Sequence, residues 1–158
     1  MNGEQEPFSL EHNPESEILE TAKNLALAYW QRRLVGNNDV IERTKKDLSL
    51  ADSYQGLDFD IARCHAYIRM IEGGRFFDQV GIVWTYEGQP ASSTEKSPYE
   101  FFKGIIDSIE IQQKHFGDNE GLMSQFRETA AEAKMIVNAI EQTKDFSNYA
   151  KSKTFKQN

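Results

Sequence analysis

A single cysteine, Cys64, among 158 residues rules out a disulfide within the chain. No apolar run approaches the ~18 residues that a membrane-spanning helix requires, so no membrane partner is expected. The first twenty residues are acidic and lack the apolar core of a secretory signal, which makes the cytoplasm the expected compartment. Net positive charge is also missing. With 18 Lys and Arg against 25 Asp and Glu, the formal net charge of −7 opposes general attraction to nucleic acid or anionic lipid. Neither G-x-G-x-x-G nor G-x-x-x-x-G-K occurs, so there is no phosphate-cradling loop. His12, His65 and His115 stand apart, with no H-x-x-x-H or E-x-x-H pair to present two ligands on one helix face. No metal or cofactor is therefore expected. Internal repeats and long low-complexity tracts are absent as well.

What remains is the composition of a folded chain: 39% hydrophobic and 27% charged residues, with 10 Phe, 6 Tyr and 2 Trp. The length suits a single domain over 1–158. Polar ends of opposite charge, acidic at 1–12 and basic at 147–158, read as flexible termini.

Helical punctuation dominates. Asn13 and Pro14 suit an N-cap and first helical residue, Gly36 suits a stop, and Ile18, Ala22, Leu25, Ala26 and Tyr29 form one stripe of a helix over 14–35. Asn38 then caps a short helix through about Ala51. A third helix runs from about Asp58 to Glu72, where Gly73-Gly74 ends it. It carries one stripe of Ile61, Cys64, Ile68 and Ile71 and another of Phe59, Ala66 and Met70, which marks it as central. Asp58, His65, Arg69 and Glu72 form a narrow polar edge between them.

Residues 75–87 are ambiguous. Val80, Ile82, Trp84 and Tyr86 alternate as in a strand, while Phe76, Phe77, Val80, Val83 and Trp84 also make a helical stripe. With no second strand apparent to pair its backbone, helix is preferred narrowly. The Gly, Pro and hydroxyl residues of 88–97 read as a flexible loop. Ser97-Pro98-Tyr99-Glu100 is a capping box opening a helix to Phe116. After Gly117, Asp118 opens a final helix whose stripe, from Leu122 to Ile140, stops short of Lys144. The fold expected is an all-α, single-domain bundle of five or six helices.

Reactive constellations are scarce. The i,i+3 pairs Glu17/Glu20 and Asp107/Glu110 resemble magnesium-binding pairs of helical nucleotide hydrolases, but Glu17, Glu20 and Asp107 project away from their apolar stripes and Glu110 lies at a flank. Cys64 and His65 are adjacent, so they point about 100° apart on a helix and make no nucleophile and base. Asp60, one turn before Cys64, would raise its pKa, and an inert buried thiol is expected. Arg32, Arg33, Arg43 and Lys46, near Trp30, are the candidate anion or nucleic-acid contacts, diluted by Asp39, Glu42 and Asp47. Ile82, Tyr86 and Ile111 fall off the apolar stripes and, completed by Tyr99, are the candidate contacts for a protein partner or a second copy. The expected function is a non-enzymatic interaction or regulatory module. A small metal-dependent nucleotide hydrolase, or a nucleic-acid-binding protein acting through residues 32–46, are the alternatives.

Overall fold

The computed structural model describes residues 14–46 and 56–157. It is predominantly α-helical. In chain order the elements are α1 (Pro14–Lys46), α2 (Leu57–Glu72), β1 (Val80–Tyr86), β2 (Gln89–Glu95), α3 (Pro98–Asp107), α4 (Ile109–Phe116), α5 (Glu120–Glu141) and α6 (Lys144–Gln157). Among the described residues, no helix is long and apolar enough to cross a membrane. Two compact units are distinguished: Ala26–Glu100, and the residues up to Leu25 together with those from Phe101 onward.

In the unit Ala26–Glu100, α1 passes through Gly36 without stopping and needs no new cap at Asn38. A mid-helix glycine costs about 1 kcal/mol relative to alanine. Here the next residue, Asn37, donates from Nδ2 to Asp60 Oδ2 at 2.6 Å, so contact with α2 holds the chain helical across the weak point. The expected cap Asn13 and the end of the expected second helix, 47–51, lie outside the described residues.

Helix α2 is the central element of this unit, bounded nearly as the sequence predicts. One face, with Asp60, Cys64 and Tyr67, meets α1 through Arg33, Asn37 and Trp30. A second face, with Phe59 and Arg63, meets the hairpin through Trp84 and Glu95.

The segment 75–87 is not a helix, and 88–97 is not a loop. β1 and β2 pair antiparallel with Val80 opposite Glu95 and Tyr86 opposite Gln89. The two-residue connection Glu87-Gly88 has positive φ at both positions, 50° and 77°, as in a type I′ turn, whose twist matches the flanking strands. Glycine carries the second position at little cost, and Glu87 takes the first. Val80 and Ile82 are buried while Gly81, Val83 and Thr85 are exposed, the period of two expected of a sheet with one covered face.

Helix α3 starts at the expected capping box, at the end of the unit Ala26–Glu100, where the Glu100 N–H donates to Ser97 Oγ at 3.2 Å. The predicted single helix to Phe116 is interrupted at Ser108, whose hydroxyl donates to the Ile105 carbonyl at 2.9 Å and so competes for the acceptor residue 109 would use. Asn119, not Asp118, caps α5, accepting from the Leu122 N–H at 3.0 Å. The α5 stripe buries Met123, Ala130, Ala133, Ile136, Val137 and Ile140. Phe126 adds an edge contact to Phe116 of α4 at 6.0 Å. From Lys144 to Gln157 the chain forms α6. Thr143 explains this: its buried hydroxyl donates to the Ile140 carbonyl at 2.6 Å and accepts from the Phe146 N–H at 3.4 Å, closing one helix and opening the next.

Candidate functional site

Two arrangements in the unit Ala26–Glu100 concentrate polar and aromatic chemistry. The first is an ionic cluster. Arg33 donates to both carboxylate oxygens of Asp60, Nε to Oδ2 at 3.0 Å and Nη2 to Oδ1 at 2.8 Å. Arg63 reaches the same carboxylate at 3.7 Å and Glu95 Oε1 at 2.9 Å. Both guanidinium groups lie over the Trp30 ring, at 5.3 and 5.9 Å from its centroid. Trp30 stacks on Tyr67 at 4.3 Å with planes 10° apart, and the Tyr67 hydroxyl donates to the Lys96 carbonyl at 2.7 Å.

Two cations and two carboxylates balance in this cluster, and its bonds tie α1, α2 and β2 together. Burial works against the charged Arg33, but the hydrogen bond and charge of Asp60 outweigh it and raise its pKa above the ordinary value. Tyr67 is pushed up to about 12, first by burial and then by the charge of Glu95. Every charged group here already has a protein counter-ion, so the cluster positions elements and offers no nucleophile.

Cys64 lies against this cluster, fully buried. Burial, and then the charge of Asp60, push its thiol up to about 11. Ellman's reagent should therefore react slowly with the native chain at pH 8 and rapidly after urea unfolding; fast native reaction would contradict the burial. Linkage gives a second readout. The folded pKa of about 11 lies above the ordinary 9.0, so this contribution to stability is intact below about pH 9 and is lost as pH rises through 11. Thermal melts at pH 8 and pH 11 should show the fall, reduced in Cys64→Ala.

The second arrangement is a groove. The polar edge of α2, with Asp58, His65 and Arg69, joins Ile61 and Ala62 as one wall, and Val83, Trp84 and Thr85 of β1 form the other, around a cavity of about 520 Å³. A neighbouring cavity of about 390 Å³ lies among Gly56, Asp58, Phe59 and residues 84–87. Half-buried Trp84 borders both, its ring edge-on to Phe59 at 4.7 Å. Val83 and Tyr86 are 73% and 63% exposed.

The expected interaction residues divide. Ile82 is 1% exposed and Tyr99 5%, so neither offers a surface. Ile82 belongs to the covered face of β1. Tyr99 packs at 5.3 Å from Phe77 and donates its N–H to the Phe76 carbonyl. Tyr86 and Ile111 are exposed but belong to different units. Val83 was missed because the helical reading of 75–87 placed it in the apolar stripe, whereas strand alternation turns it outward.

Of the basic candidates, Arg33 is withdrawn into its bond with Asp60, and Arg43 Nε donates to the Asp39 carbonyl at 3.5 Å. Arg32 and Lys46 are exposed. Among the described residues, no three His, Cys, Asp or Glu side chains gather as a metal site. No protein-family model matches the chain, nor does any curated protein or solved structure.

Proposed function

We propose that the protein is a non-enzymatic interaction module that engages a protein partner along the β1 side of its hairpin, beside α2. The observation that carries this reading is the pairing of exposed Val83 and Tyr86 with half-buried Trp84, beside two cavities. Aromatic residues at the rim of a pocket are the usual anchors of an interface, surrounded by contacts that exclude water. The ionic cluster supports the reading by holding α2 and β2 in fixed positions, so the surface is preorganised.

Val83→Glu with Tyr86→Lys should weaken association with a partner isolated by native affinity capture at least tenfold, as measured by titration of the purified pair, with the circular dichroism spectrum and melt unchanged. Unchanged affinity in the folded double variant would overturn the assignment of this surface.

A further inference from the structure

The groove has an open backbone edge as well as apolar side chains. In a two-residue hairpin the Tyr86 carbonyl and Gln89 N–H close the turn, so by alternation Tyr86, Trp84, Ile82 and Val80 direct their main-chain groups to β2. Gly81, Val83 and Thr85 direct theirs to the other side. Among the described residues, none bonds to those outward groups. The outer edge of β2 differs. Pro90, opposite Thr85, occupies an outward-facing position and has no N–H to offer, a common device for blocking an edge. The hairpin therefore has one blocked edge and one open edge, and the open one borders the groove.

Charge is ordered along this groove. Gly56 and Phe59 lie beside the end of β1, so α2 begins there, and its later residues His65 and Arg69 lie towards the start of β1. Asp58 and Glu87 thus mark one end and Arg69 with His65 the other. None of these four has an ion-pair partner among the described residues.

We infer that the groove between α2 and the open edge of β1 takes up an extended peptide segment of a partner as an added antiparallel strand, basic near its N-terminal end and acidic near its C-terminal end. This rests on the interaction reading above. An antiparallel strand enters beside Asp58 and Glu87 and leaves beside Arg69 and His65, so each end meets opposite charge. Its main chain bonds to Gly81, Val83 and Thr85, and alternate side chains lie on Ile61 and Ala62 or beside Val83. A strand needs only the ~4.8 Å step of a sheet, whereas a second hairpin would bring its own α2 against this wall. The occupant is therefore a peptide and not a second copy.

The test is selection of random decapeptides by display on the full chain. The selected peptides should alternate apolar residues, with Lys or Arg towards the first positions and Asp or Glu towards the last. N-methylation at alternate backbone positions of a selected peptide should abolish binding, and at the intervening positions leave it intact. Thr85→Pro should weaken binding tenfold or more. Arg69→Glu, an exposed substitution with no bearing on the edge, should do the same and be rescued by a peptide carrying Lys at its acidic position. No enrichment, insensitivity to N-methylation, or a reversed charge order would each overturn the inference. So would native mass spectra showing a dimer that Thr85→Pro dissolves and peptides do not. If N-methylation has no effect but Val83→Glu with Tyr86→Lys still removes partner binding, strand addition fails and the interaction reading stands.

Discussion

Ile82→Glu is expected to destroy the cooperative fold of the unit Ala26–Glu100, while Val83→Glu, one residue further on, leaves it intact. Ile82 is 1% exposed. Its replacement forfeits roughly 2 kcal/mol of apolar burial. It also places a carboxylate beneath the sheet without a counter-ion, at a cost of several kcal/mol more. Together these approach the whole stability of a small domain, about 5–15 kcal/mol. Val83, 73% exposed, meets water with its side chain, and a surface substitution there costs within about 0.5 kcal/mol. Urea titrations followed by tryptophan fluorescence and circular dichroism separate the two. Equal destabilisation by both variants would mean that the strand does not present alternate faces.

Asp60→Ala is expected to be the most damaging charge deletion among the described residues. It removes the carboxylate that both Arg33 and Arg63 reach beside Trp30, and with it the acceptor of the Asn37 amide. Breaking one partner of a fully buried pair costs about 3–5 kcal/mol. Arg33 keeps 32% of its side chain in contact with solvent, so a loss of about 2 kcal/mol is the reasonable scale. That corresponds to a fall in Tm of roughly 10 °C. In a double-mutant cycle, Arg33→Ala added to Asp60→Ala should cost far less than the two single losses together. Additive losses would show that the clamp is not a unit.

Helices α2 and α5 were legible because a period of 3.6 is hard to mistake when a stripe is long. The α5 stripe is buried as the sequence predicts, and α2 has the two packed sides that its two apolar stripes imply. The hairpin was illegible for a physical reason. β2 has only Ala91 as an apolar residue, and its covered side is completed by Ser93 and Glu95. Glu95 is tolerated there because Arg63 rises from α2 to meet it at 2.9 Å. Such a strand carries no alternation of hydrophobicity, since its partner beneath is ionic. Losing β2 led to the helical preference for 75–87. That reading put Ile82 outside the core and Val83 inside it, so the candidate surface was misread by one residue.

The two units differ in how the chain supplies them. Ala26–Glu100 is one continuous stretch, whereas the other unit draws on residues up to Leu25 and then on residues from Phe101 onward. On the ribosome, the continuous unit is complete in sequence before α5 has been synthesised, and domains commonly fold as they emerge. Helix α1 is shared across that division, so its second half can be fixed early while its first half waits. Until α5 arrives, Ile18 and Leu25 lack the neighbours Met135 and Ala139 with which they line a groove in the finished protein. The apolar stripe of α1 therefore stays uncovered in the nascent chain until α5 has been synthesised, after the residues of the other unit are already complete.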